Sequence, residues 1–311
     1  NGHVLLVGKS GTGKTHTLKR ILKQMLERSN GKMRVHVMDV HGDIDIDGAS
    51  AVKFSEATQY GFNPLAINPD PDFGGVRKKI QSFISALNRT GFRIGPKQEA
   101  ALRNLLIDLY AANGFYENDP RSWSINDGVK RRYQKKQPTM EDTLRFAQAK
   151  LKSMFLGTSS KSVSALEKLY RKQQQMTRAR RMWHKAGSDP QEQEKLQEEI
   201  GGMSIEAVEL FKEHLDQLQT GNELNDLLKY DSRDVMKSVV DRIENLNSIG
   251  IFRPERPPFD PNALVWRYDI KALAQEEKKL FVSFLLEAIF LRASQRGVQS
   301  DVVEIVVLDE A

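Results

Sequence analysis

The chain has 311 residues, 39% hydrophobic and 28% charged, with a formal net charge of +6 and no cysteine. That length supports one large domain or two smaller ones, and the missing cysteines exclude disulfides and thiolate metal sites. No apolar run approaches the roughly 18 residues of a membrane span and no signal-peptide pattern opens the chain, so a cytoplasmic, reducing setting is expected.

His3 to Val7 reads as a short buried strand ended by Gly8. Gly8, Lys9, Ser10, Gly11, Thr12, Gly13, Lys14 and Thr15 then satisfy G-x-x-x-x-G-K-[ST]. Glycine is needed in such a loop because the backbone must curl until successive N–H groups point at phosphate oxygens. The pattern implies a nucleoside triphosphate, ATP with Mg²⁺, held by residues 8 to 15 and by His16. Lys14 is aimed at the β- and γ-phosphates, and the Thr15 hydroxyl is a metal ligand. The helix expected over Lys14 to Arg28 sets Leu18, Ile21, Leu22 and Met25 on one face and adds its positive end to the loop. The competing reading, a glycine-rich turn without ligand, does not account for the placement between a strand and a helix.

Met33 to Val40 reads as a second strand that runs into the turn Asp39-Val40-His41-Gly42-Asp43. Asp39, His41 or Asp43 can there meet the metal, the attacking water or a neighbouring subunit. Equally, the turn can be one whose Asp and His satisfy their own backbone. Ala51 to Phe54 is a further short strand, and the order strand, helix, strand predicts an α/β fold with a parallel sheet.

The middle of the chain is helical. Val76 to Asn88 and Lys97 to Asn113 carry apolar residues at three- and four-residue spacing, and Thr139 with Asp142 marks another helix start. Polar helices follow, with breaks expected at Gly157, at Gly187 to Pro190, and at Gly201-Gly202. Arg253 to Pro261 holds four prolines and reads as a loop. Leu264 to Ile270 is then a strand, Gln275 to Arg296 a helix, and Val302 to Leu308 a buried strand.

Asp309 and Glu310 close that last strand. Beside a phosphate loop they read as its second half, Asp309 holding the Mg²⁺ shell and Glu310 polarising the attacking water. Catalysis is thus assigned to Glu310 and Lys14, and the metal to Thr15 and Asp309. Acids that merely end a strand at the surface are the alternative.

Several segments together resemble the HerA–FtsK superfamily of DNA-pumping ATPases, which includes the motor ATPases of conjugative type IV secretion. They are Val7 to Thr15, Asp39 to Asp43, Phe62-Asn63-Pro64-Leu65, the helix from Gly95 to Tyr110, Tyr268 through Phe290, and Leu308 to Ala311. The resemblance implies a RecA-like P-loop NTPase core with a mostly parallel sheet; the order of predicted elements builds that core from residues 1–94 and 249–311, interrupted by a helical insertion over 95–248. It implies a ring, a hexamer, that uses ATP to move DNA or to drive a secretion channel. Further strands with a sensor and an arginine are implied beyond Glu310, so this stretch is expected to be a piece of a longer protein, incomplete at its C-terminal side.

The charge is blocked. Lys130 to Lys185 holds sixteen Lys or Arg against three acids, and Asp189 to Glu244 fifteen acids against six bases. Lys130, Arg131, Arg132, Lys135 and Lys136 surround Tyr133, while Arg178, Arg180, Arg181 and Lys185 surround Trp183 and His184. Such clusters grip nucleic-acid phosphates and stack on bases, or they pair with the acidic block in a helical hairpin. Three functions therefore stand open: a motor on DNA, a secretion ATPase acting mainly on protein partners, and a nucleotide-binding switch or scaffold. Glu310 weighs against the third, because a pure binder needs no carboxylate there.

Overall fold

A computed structural model of the chain describes residues 3–9, 11–126, 135–156, 160–185, 190–216 and 228–308. Two compact units divide it. One comprises Asn1–Ile94, Ile107–Glu141 and Ile243–Ala311; the other comprises Gly95–Leu106 and Asp142–Arg242.

The first unit is an α/β layer. Its sheet has the order β2–β3–β1–β4, formed by β1 (Arg34–Asp39), β2 (Ser50–Lys53), β3 (Val265–Asp269) and β4 (Glu304–Leu308), all parallel. Val35 aligns with Val265 on one side and Ile305 on the other, so β1 is central and almost wholly buried. A parallel strand covered on both faces reads as a continuous apolar run, as this one does apart from Arg34, His36 and Asp39.

Helix α1 (Lys14–Arg28) covers one face. Leu22, 2% exposed, sits in a core with Val35, Val37, Ile44, Val265 and Val307, and Leu18, Met25 and Leu26 pack against it. Truncating a leucine so placed costs about 2–5 kcal/mol. Aromatic rings dominate the other face. Phe281 of α8 (Gln275–Arg296) lies 4.7 Å from Phe54 and 5.3 Å from Phe62, and Phe284 stacks 5.6 Å from Phe83 of α2 (Val76–Arg89). Gly61 has no room for a side chain, since a Cβ there would stand 2.0 Å from the Ile251 carbonyl. The Asn63-Pro64-Leu65 segment ties in through Asn63, whose side-chain nitrogen donates to the Pro138 carbonyl at 2.9 Å. The Tyr110 hydroxyl donates to Leu65 O at 2.7 Å.

Helices α3 (Pro96–Ala112) and α7 (Arg233–Ser248) each divide between the units, and α4 (Met140–Leu156) lies almost wholly in the second. The second unit is dominated by α5 (Ser160–Lys185) packed on α6 (Pro190–Asp216). Ser162 bonds His214 at 2.6 Å and Lys172 pairs with Glu206, so the two helices run antiparallel. Within the same unit Gln98 donates to Ser238 at 2.6 Å, and Lys152 pairs with Glu167.

Two expectations are corrected. His3 to Val7 forms no strand, and Val4, Leu5 and Val7 are 83–85% exposed. An apolar pattern predicts burial, but a strand also needs a neighbour to take its N–H and C=O groups, and none of the described strands pairs with this segment. Gly201-Gly202 does not break its helix; α6 runs through it. Each glycine costs about 1 kcal/mol against alanine, less than the packing of α6 on α5 returns.

Candidate nucleotide site

The phosphate loop owes its shape to its glycines and to Lys14. Gly11 and Gly13 adopt φ of 80° and 84°, the left-handed region that side chains resist. A Cβ on Gly8 would stand 2.6 Å from Thr12 Oγ1, so a side chain there would displace the Thr12 hydroxyl. Thr12 closes the curl by donating its hydroxyl to Lys9 O at 2.8 Å. Lys14 folds back over the loop, its ammonium donating to Gly8 O at 2.7 Å and to Lys9 O at 3.0 Å. No side chain caps α1 and no acid lies in its first turn, so the helix end keeps its positive character. Thr15 and His16 are exposed in that turn. A tight loop, one lysine and an uncompensated helix start fit a polyphosphate anion. Ser10 lies outside the described residues.

Topology carries this helix end to the acidic edge of the sheet. Fifteen helical residues span about 22 Å and six strand residues about 20 Å. Because α1 leads through a short turn into β1 and packs along it, its N-terminus returns to the carboxyl ends of the strands. There Asp39 and Asp269 stand side by side in register. Leu308, which precedes Asp309, aligns with Met38, which precedes Asp39. Asp309 and Glu310 themselves lie outside the described residues, and no cluster of three or more metal-ligating side chains occurs among those described.

Asp39 is taken up by its own turn. Its carboxylate accepts from Gly42 N at 2.6 Å, Asp43 N at 3.3 Å and Ile44 N at 3.1 Å, and Arg267 lies 3.6 Å away. Of the two readings of this turn, backbone satisfaction is the one that Asp39 follows. Asp269 differs. It is 8% exposed, and Lys271 N at 3.2 Å donates to one of its oxygens. Lys278 donates to Val40 O at 3.2 Å and puts a second cation at the same edge. Residue type alone does not mark Asp269 or Lys278 as site residues; the usable signal for Asp269 is an acid near the end of a predicted strand.

The basic clusters separate. Lys135 is buried, 7% exposed, donating to the Ser122 carbonyl and lying 4.1 Å from the Phe115 ring centroid, so it cannot belong to a surface patch. Its burial follows from the apolar length of lysine, which packs under an aromatic while its ammonium finds a carbonyl. Lys130, Arg131, Arg132 and Tyr133 lie outside the described residues. Arg178, Arg180 and Arg181 are exposed on α5 and make no ion pair among the described residues, while Trp183 turns partly inward. The hairpin with the acidic helix forms, but those arginines are not neutralised in it.

A glycine-curled phosphate loop, leading a helix that packs on a parallel sheet with acids at its strand ends, defines the class of P-loop nucleotide-binding proteins. Residues 1–289 match the family model described as "Helicase HerA, central domain", and the chain belongs to that family. It is therefore a P-loop ATPase of the HerA–FtsK type, a class of ATP-driven motors. Among solved structures it is similar to VirB4 of Thermoanaerobacter pseudethanolicus, with 14% identity, a TM-score of 0.47, and coverage of 94% of this chain and 80% of that one. No curated protein matches it. No described helix is long and apolar enough to cross a membrane.

Proposed function

We propose that this chain is the nucleotide-binding part of a motor that hydrolyses ATP, with Mg²⁺, to translocate or remodel DNA as a ring oligomer. One observation carries the reading: the Lys14 ammonium is held at the centre of a glycine-curled loop at the open N-terminus of α1, in a chain of the HerA family. Bound Mg²⁺ would supply positive charge beside the phosphates, with the Thr15 hydroxyl and Asp309 as its protein ligands. Lys14 moves from the Gly8 and Lys9 carbonyls to the β- and γ-phosphate oxygens. The loop N–H groups orient the polyphosphate, and the Glu310 carboxylate takes the proton from the attacking water. The domain reading that goes with this function is an ATPase core from residues 1–94 and 249–311, carrying a helical insertion over 95–248.

DNA enters through the charge of α5, where Arg178, Arg180 and Arg181 are exposed. Contacts made by such arginines would be to phosphates, so they carry no base preference. The test is Glu310→Gln in the full-length protein, with ATP binding by calorimetry and turnover measured with and without duplex DNA. Binding retained with turnover lost, and wild-type turnover raised by DNA, are expected. Parental turnover in Glu310→Gln removes the catalytic assignment, and indifference to DNA leaves an ATPase whose work is on protein partners.

A further inference from the structure

Helix α6 has two apolar stripes. Leu196, Ile200, Met203, Ala207 and Leu210 recur at three- and four-residue spacing and are buried or half-buried, the pattern of the seam against α5. A second stripe, Ile205, Val208, Phe211 and Leu215, lies on an adjacent face and is 66%, 55%, 49% and 48% exposed. Scattered surface apolar residues mean little, but a contiguous row rimmed by charge marks a contact surface. The rim here is acidic: Glu198, Glu209 and Glu213 are exposed and make no ion pair among the described residues. Over its whole length α6 has eight acids and two lysines.

Helix α5 is its electrostatic counterpart. It carries eight Lys or Arg and one acid, Glu167, which is already paired with Lys152. Away from the seam, Tyr170, Arg171, Gln174, Arg178, Arg181 and Lys185 are exposed at helical spacing. Tyr170, 61% exposed, offers apolar surface within this basic field.

We propose that the Ile205–Leu215 stripe of one copy of this chain docks on the outer side of α5 of a second copy, head to tail. Two α6 stripes facing each other would bring acidic rims together. On α5 the same rim meets arginines, while the apolar stripe lies on Tyr170 and on the aliphatic stems of the long basic side chains, and complementary charge sets the register. Because donor and acceptor faces are different surfaces of one hairpin, each copy in a pair keeps one face unused, and the contact repeats into a ring or an open chain. This goes beyond the ATPase reading, since it requires neither nucleotide nor DNA. It also sets two partners in competition for Arg178 and Arg181.

The chain lacks cysteine, so single thiols report the contact directly. Val208→Cys and Gln174→Cys both replace exposed side chains and should leave the melting temperature unchanged. Mixed under mild oxidation without nucleotide, the two variants should give a disulfide-linked dimer well above either variant alone. Adding Arg178→Glu and Arg181→Glu to the Gln174→Cys chain should abolish it. Dimer formation by Val208→Cys alone at the level of the mixture would mean that α6 meets α6, and would overturn the proposal. So would a mixture no more cross-linked than its components, or cross-linking indifferent to the two charge reversals. Loss of ATPase activity in Glu310→Gln bears on none of these outcomes, so the two readings fail separately.

Discussion

Nε2 of His36 lies 2.7 Å from the Glu304 carboxylate, a hydrogen bond between β1 and β4 inside the sheet. A carboxylate only accepts, so Nε2 carries the proton and donates it. Nδ1 lies 3.0 Å from the Tyr268 hydroxyl of β3. Arg296 at the end of α8 holds the other oxygen of Glu304. Three strands and a helix thus meet at one polar chain within an apolar layer, where leaving any member unpaired is costly.

That chain predicts an acid transition. Burial alone would raise the Glu304 pKa, but the hydrogen bonds from His36 and Arg296, with their charges, outweigh it and lower it from 4.5 to about 2. A carboxyl depressed in the folded state contributes stability that is complete above its unfolded pKa and is lost as pH falls through the folded one. Melting temperature should therefore fall between pH 4.5 and about 2, and Glu304→Gln should flatten that part of the profile while lowering stability at neutral pH. A Glu304→Gln profile parallel to the parent would show that the pair contributes nothing.

Lys14→Ala should remove most nucleotide affinity without unfolding the chain, because among the described residues the hydrogen bonds of the Lys14 ammonium go to the exposed carbonyls of Gly8 and Lys9 alone. Calorimetric titration with ATP checks it; an affinity within about twofold of the parent would separate the loop from its assigned ligand.

Asp39→Ala should destabilise by about 1–3 kcal/mol, the range for leaving buried donors unmet, since three N–H groups of the Gly42 to Ile44 turn depend on this carboxylate. Denaturant unfolding reads the effect. Unchanged stability, with loss of Mg²⁺-dependent ATP binding, would instead place Asp39 at the metal.

Gly201→Ala and Gly202→Ala should each stabilise by about 0.5–1 kcal/mol. Both glycines sit inside a continuous helix, and a Cβ at either meets nothing within 4 Å. Thermal melts that fall instead of rising would show that α6 bends there.

Much of this was legible along the chain. The phosphate-loop spacing marked Gly8, Gly13, Lys14 and Thr15 as a unit, because that chemistry is local: glycine torsions and a helix start within eight residues. Helices α1 and α8 kept their predicted bounds, Lys14–Arg28 and Gln275–Arg296, since apolar periodicity and breakers act within a few residues. Tertiary structure decided the rest, because partners distant in sequence settle burial and pairing. His3 to Val7 has a strand's composition yet no described strand bonds it, and Lys135 has a patch residue's charge yet lies under Phe115. Asp39 and Asp269, 230 positions apart, become neighbours only through strand register, and Asp39 spends its carboxylate on its own turn while Asp269 keeps part of its own. A one-dimensional pattern states which groups need partners; the packing of the sheet determines which partner each one finds.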